Sequence, residues 1–119
     1  LKGQDPLHIL GTGEQVRCYT NGKDIARGIR LALESDNGLN EDFNISTPVA
    51  TSVNELAKLV WEILNPDKPF ATVSDEAYEY DVQKRVPNTT KAKELLGFEA
   101  DIGLEESVTE VIEYMRGKQ

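Results

Sequence analysis

Reactive and metal-binding side chains are scarce in this sequence, which has one cysteine, Cys18, and one histidine, His8, in 119 residues. A lone cysteine closes no internal disulfide, and one Cys with one His falls short of the usual zinc ligand sets. The chain therefore reads as metal-free and cytoplasmic. Basic residues are also in deficit, with 13 Lys and Arg against 21 Asp and Glu, a formal charge of −8. Phosphate repulsion makes nucleic acid a poor default partner for such a chain. No apolar run approaches the roughly 20 residues of a membrane span, so no membrane partner is expected. The sequence opens at Leu1 without a charged n-region or signal-like stretch, so no secretory start is expected, and it reads as a piece of something longer.

What remains is a chain that is 39% hydrophobic with periodic apolar positions, the signature of one globular domain. Residues 7–10 and 15–20 flank the turn Gly11-Thr12-Gly13-Glu14 and predict a β-hairpin. The Gly-x-Gly reads as a plain turn, because a dinucleotide loop needs a further Gly where Val16 stands and a helix directly after it. Asp24 stands before Ile25, Ala26, Ile29, Ala32 and Leu33, which share a helical face and predict a first helix over 24–34. Residues 42–46 suit a short buried strand.

Ser52 and Glu55 form a capping box ahead of Val53, Leu56, Ala57, Val60, Ile63 and Leu64, a second helix that Asn65-Pro66 stops. A strand is expected over 69–73, then a loop to about Pro87. Asn88 or Thr89 caps a short helix with Ala92, Leu95 and Leu96 inward and Gly97 at a left-handed C-terminal cap. A last helix from Leu104 carries Val108, Val111, Ile112 and Met115 on one stripe. The predicted order is ββ-α-β-α-β-loop-α-α: a small mixed α/β unit with short strands and about four helices, lacking a Rossmann sheet.

Catalytic constellations are absent from the pattern. His8 reads as a packing position in an apolar strand, and Trp61 and Met115 read as core. Glu105, Glu106, Glu110 and Glu113 read as a solvated acidic face. Two basic islands stand against the acidic background: Lys84, Arg85, Lys91 and Lys93, and Arg17, Lys23, Arg27 and Arg30. Lys23, Arg27 and Arg30 read as a solvated helical face. Arg17 interrupts a β run and Arg85 lies in a long loop, so these two are the candidates for holding a small anion through the planar guanidinium fork.

The same residues resemble the carboxy-terminal part of the extended short-chain dehydrogenase/reductases, the NAD-dependent nucleotide-sugar epimerases, dehydratases and decarboxylases. The resemblance runs through residues 11–28, Phe43-Asn44-Ile45, Ser52-Val53-Asn54-Glu55-Leu56-Ala57 and residues 81–98, in the family's order. It implies that residues 1–119 are the substrate-binding domain of a longer enzyme. That enzyme's amino-terminal Rossmann half would supply the Gly-rich NAD loop and the Tyr-x-x-x-Lys catalytic pair. The pairs Tyr19/Lys23, Tyr80/Lys84 and Tyr114/Lys118 match that spacing by coincidence, since none falls in a redox half.

The resemblance further implies that Arg17, Asp81 and Arg85 help hold a nucleotide-diphosphate sugar. No catalytic residue and no bound cofactor are expected of these residues alone. The implied partners are the Rossmann half and a second copy of the full-length enzyme. Tyr78 stands where many epimerases carry a further phosphate-binding Arg, Asn88 replaces a usual Asp at a helix start, and Gly22 replaces a common Val. A stand-alone interaction module that keeps the fold without sugar binding is the alternative reading.

Overall fold

The computed structural model describes residues 3–118 and divides them into two compact units. The first comprises residues 3–17, 51–85 and 108–118, and the second residues 18–50 and 86–107. The elements in chain order are β1 (Leu7–Leu10), β2 (Val16–Arg17), α1 (Gly22–Glu34), a 3-10 turn at Asp36–Gly38, β3 (Thr51–Ser52), α2 (Val53–Leu64), β4 (Thr72–Asp75), α3 (Thr90–Leu96) and α4 (Leu104–Gly117). The mixed α/β class with four helices and short strands is as expected. Among the described residues no helix is long and apolar enough to cross a membrane.

In the first unit the expected hairpin does not form. β1 pairs in parallel with β4, from Leu7 opposite Thr72 to Leu10 opposite Asp75, while β2 pairs antiparallel with β3. The segment between β1 and β2 explains the separation. The Gln15 side-chain amide donates to the Leu10 carbonyl at 3.1 Å, and Gly13 sits at φ 74° beneath the Asn54 side chain, where a Cβ would collide. Asn54 donates from its backbone to the Gly13 carbonyl and from its side chain to that of Thr12, both at 3.0 Å. The Gly-x-Gly is thus a turn docked on the start of α2, and it leads into a strand. The strand expected over 69–73 starts later, at Thr72.

α2 has the capping box its sequence predicts: Glu55 N–H donates to Ser52 Oγ at 3.1 Å, and Ser52 N–H donates to Glu55 Oε2 at 2.7 Å. The Ser52 backbone bond, joined by its hydroxyl, holds the Glu55 carboxyl below its ordinary pKa. Trp61 is buried on this helix, donates from its indole nitrogen to the Lys68 carbonyl at 3.1 Å, and meets Phe70 edge-on at 6.4 Å. α4 contributes buried Ile112, but Val111 and Met115 of the predicted stripe are exposed. His8 is no packing residue either. Its ring is about half exposed and its Nδ1 lies 2.9 Å from an Asp75 carboxylate oxygen.

In the second unit α1 begins at Gly22, two residues before Asp24. Asn21 is the N-cap, its side chain accepting from Lys23 N–H at 2.8 Å. The face read as inner is mostly outside, with Ile29 51% and Leu33 82% exposed. The innermost positions are Asp24 and Gly28. Gly28 lets the helix approach Ile45 and Phe98, both of which an added Cβ would strike. Residues 42–46 therefore pack at Ile45 without becoming a strand, and Asn44 donates to the Asn88 carbonyl at 3.0 Å. α3 ends as predicted at Gly97, φ 65°, which turns the fully buried Phe98 inward, although Leu95 is exposed. Thr89 precedes α3 without a side-chain cap, and Asn88 Oδ1 accepts from Thr90 N–H at 2.9 Å.

Asp24, 2% exposed, organises this unit. It accepts from the backbone N–H groups of Asp101 at 3.0 Å and Ile102 at 2.9 Å, and from Arg27 at 2.9 Å. Arg27 also donates to the Glu99 carbonyl, pairs with Asp101 at 3.0 Å and lies over the Phe98 ring at 5.0 Å. Burial pushes the Asp24 carboxyl up, but the bonds from Ile102, Arg27 and Asp101, with the Arg27 charge, outweigh it and leave the pKa lowered.

Two outcomes follow. Gly28→Ala should lower the urea-denaturation stability of the chain by about 1–3 kcal/mol through overpacking against Ile45 and Phe98; an unchanged midpoint would contradict the close approach. Asp24→Asn should be less stable near neutral pH. Because the native pKa is depressed, the stability from Asp24 is present above the unfolded carboxyl value of about 3.9 and lost as pH falls through the native value. The difference between wild type and variant, followed by denaturation midpoints, should therefore narrow below about pH 4.

Candidate functional site

β2 sits between two backbone partners in the first unit. On one side β3 places Thr51 opposite Arg17 and Ser52 opposite Val16. On the other, Val16 N–H donates to the Gln83 carbonyl at 2.9 Å and the Val16 carbonyl accepts from Arg85 N–H at 3.2 Å, a parallel bridge to Lys84. The bridge is a single one; Arg85 and Arg17 are the residues that follow it, and the Arg85 N–H bond to the Val16 carbonyl brings their backbones close.

Arg17 Nη1 donates to the Val16 carbonyl at 2.8 Å, and its Nη2 reaches Asp81 Oδ1 at 3.4 Å. Both side chains of the pair are about a quarter exposed. Gln83 holds the loop by donating to the Asp81 carbonyl at 3.2 Å. Arg85 is exposed, and among the described residues its guanidinium has no ion-pair or hydrogen-bond partner. One carboxylate balances only one of the two arginines, so the site keeps a positive surplus suited to an anion with several oxygens.

The structure thus brings Arg17 and Asp81 into contact and Arg85 alongside them. Four other residues of the two basic islands are paired with carboxylates, while Lys84 has no ion-pair partner among the described residues. Lys91 pairs with Glu41 at 2.8 Å and Asp42 at 3.0 Å, Lys93 with Glu99 at 2.9 Å, and Arg30 with Glu34 at 3.7 Å. The side-chain bond from Glu41, then that from Asp42, raises the Lys91 pKa. Arg27 belongs to the Asp24 cluster and not to a merely solvated face. Sequence reasoning missed that cluster and the His8–Asp75 pair, since both join segments more than 60 residues apart. The isolated polar Asp24 on a helix face was the one available signal for the first.

Among the described residues no group of His, Cys, Asp or Glu side chains is placed to hold a metal ion. The Gly11-Thr12-Gly13 turn does not fit a dinucleotide, because Asn54 fills the space over Gly13 and the chain continues into β2 where a phosphate cradle needs a helix.

The GDP-mannose 4,6 dehydratase family model matches residues 1–111. The chain belongs to that family, within the extended short-chain dehydrogenase/reductases that act on nucleotide sugars. Among curated relatives, UDP-glucuronic acid decarboxylase 4 of Arabidopsis thaliana is 31% identical over 113 residues, 95% of this chain and 25% of that protein. Among solved structures, UDP-glucose 4-epimerase with UDP-glucose from Thermotoga maritima superposes with a TM-score of 0.84 at 43% identity, covering 94% of this chain and 35% of that one. MoeE5 in complex with UDP-glucuronic acid and NAD superposes at 0.78 with 30% identity, covering 97% and 38%. The chain spans between a quarter and two fifths of the length of these relatives.

A partly exposed ion pair contributes little to stability. A double-mutant cycle of Arg17→Ala and Asp81→Ala, read by urea denaturation, should give a coupling of no more than about 1 kcal/mol. A coupling several times larger would mean that the pair is a structural clamp and not exchangeable.

Proposed function

We propose that this chain is the carboxy-terminal nucleotide-sugar-binding domain of a longer NAD-dependent nucleotide-sugar epimerase or dehydratase. In this reading Arg17 and Arg85 hold the diphosphate while the amino-terminal Rossmann half does the redox chemistry. The observation that carries it is the backbone bond from Arg85 N–H to the Val16 carbonyl, which brings the backbones of Arg85 and Arg17 close, with Asp81 as a counter-ion to Arg17 alone. A diphosphate offers oxygens to both guanidinium forks. Asp81, released from Arg17, would accept from ligand hydroxyl groups, which suits the ribose.

The UDP-sugar complexes of the two solved neighbours support this choice of ligand, and the NAD of MoeE5 supports the redox class. NAD, held by the other half, supplies the hydride acceptor; the residues here would spend nucleotide-binding energy on orienting the sugar. The full-length enzyme would work in the cytoplasm as a homodimer. The alternative of a stand-alone interaction module draws on one observation, the exposure of Ile29, Leu33 and Leu39 in the second unit. A chain spanning about a third of its relatives' length leaves such surface in either case.

Titrating the full-length enzyme with UDP-sugars decides between them. Arg17→Ala plus Arg85→Ala should weaken binding at least about tenfold for each arginine, given about 1.5–3 kcal/mol for hydrogen bonds to charged groups. Unchanged affinity would remove the assignment and favour the interaction module.

A further inference from the structure

Resting on the diphosphate reading, we propose that Tyr80 is the stacking platform for the nucleobase of the same ligand. Tyr80 is 88% exposed and Tyr78 is 70% exposed. Among the described residues neither ring has a ring partner, a cation over it or a hydrogen-bond partner. The aromatic pair is Trp61 with Phe70, and the cation that covers a tyrosine is Lys118, 4.4 Å from the Tyr114 ring centroid. An aromatic ring left in water forgoes the burial that dominates core energetics, and no described residue covers either of these two.

The placement of Tyr80 gives it a ligand. It closes the turn at Glu79 and Tyr80 and is the chain neighbour of Asp81, with consecutive Cα atoms about 3.8 Å apart. Asp81 in turn receives the Arg17 hydrogen bond. Two guanidinium groups in adjacent register, with a free π-face one residue from their counter-ion, match the two unlike halves of a nucleoside diphosphate. The phosphates meet the arginines and the base meets the ring. Every base has a π-face, so such a platform adds affinity for the nucleoside without choosing the sugar. Tyr78 lies on the far side of the turn from Asp81 and is less exposed than Tyr80.

The test separates base from phosphate by calorimetric titration of the full-length enzyme with UDP and with inorganic pyrophosphate. Tyr80→Ala should weaken UDP binding by about 5- to 150-fold, the equivalent of one base stack, and leave pyrophosphate binding unchanged. Tyr80→Phe should keep the UDP affinity. An unchanged UDP affinity in Tyr80→Ala overturns the inference, as does an equal loss for UDP and pyrophosphate, or a loss seen in Tyr78→Ala and not in Tyr80→Ala. The diphosphate reading fails on a different variant, Arg17→Ala plus Arg85→Ala with both ligands still bound, so the two failures are told apart.

Discussion

Val16 carries the constraint on which the candidate site depends. Its N–H and C=O are both committed to the segment 83–85, while its strand pairs on the other side with β3. Backbone bonds therefore place Arg17 and Arg85 side by side, and neither long side chain has to find the other at the cost of its own rotamer freedom. The same bonds close a loop. Gly11 N–H donates to the Asp75 carbonyl at one end, and Val16 N–H donates to Gln83 at the other. The stretch between, with Tyr78, Tyr80 and Asp81, is tethered at both ends yet exposed along most of its length, a surface loop held by a scaffold.

The second unit rests on a different economy. Its innermost helix positions are a glycine and a carboxylate, and each works because of what comes from far along the chain. Gly28 admits Ile45 and Phe98, and Asp24 satisfies two backbone donors at Asp101 and Ile102. A charge buried this deeply is tolerable only when every lone pair that matters has a donor, and Arg27 completes the set.

Those two residues show where the sequence was legible and where it was not. Local signals held: the Ser52–Glu55 capping box started α2, Asn65-Pro66 ended it, and Gly97 took the left-handed position after α3. Each is decided within one turn of helix. Signals that depend on a distant partner failed. Periodicity put Ile29 and Leu33 inside because it weighs apolar surface, while the true inner face of α1 is marked by a missing side chain and a satisfied charge. The hairpin failed for the same reason, since alternation identifies a strand but not which of several others it joins, and a two-residue strand such as β2 has almost no alternation to read. Arg17 and Arg85 stood out by their places in a β run and a long loop and Asp81 by the family resemblance alone, and bonds to distant segments are what bring them together.

Charge counting along the sequence overstated the basic islands, and the reason bears on how the site could work. Lys91, Lys93, Arg27 and Arg30 each sit within reach of a carboxylate, whereas Lys84 and Arg85, next to β2, have no ion-pair partner among the described residues. Counter-charges elsewhere on the chain matter little there, because solvent-exposed charges farther than about 8–10 Å are screened at physiological salt. Beside β2 stand Arg17, Lys84 and Arg85, and the carboxylate paired there, Asp81, is held by Arg17 at 3.4 Å, longer than the 2.7–2.9 Å typical of a charge-assisted bond. In the proposed reading, exchanging that bond for phosphate oxygens at normal distance would improve the contacts of Arg17, give Arg85 a partner and free Asp81 for hydroxyl donors. A protein of charge −8 can in this way present a cationic grip without a basic surface.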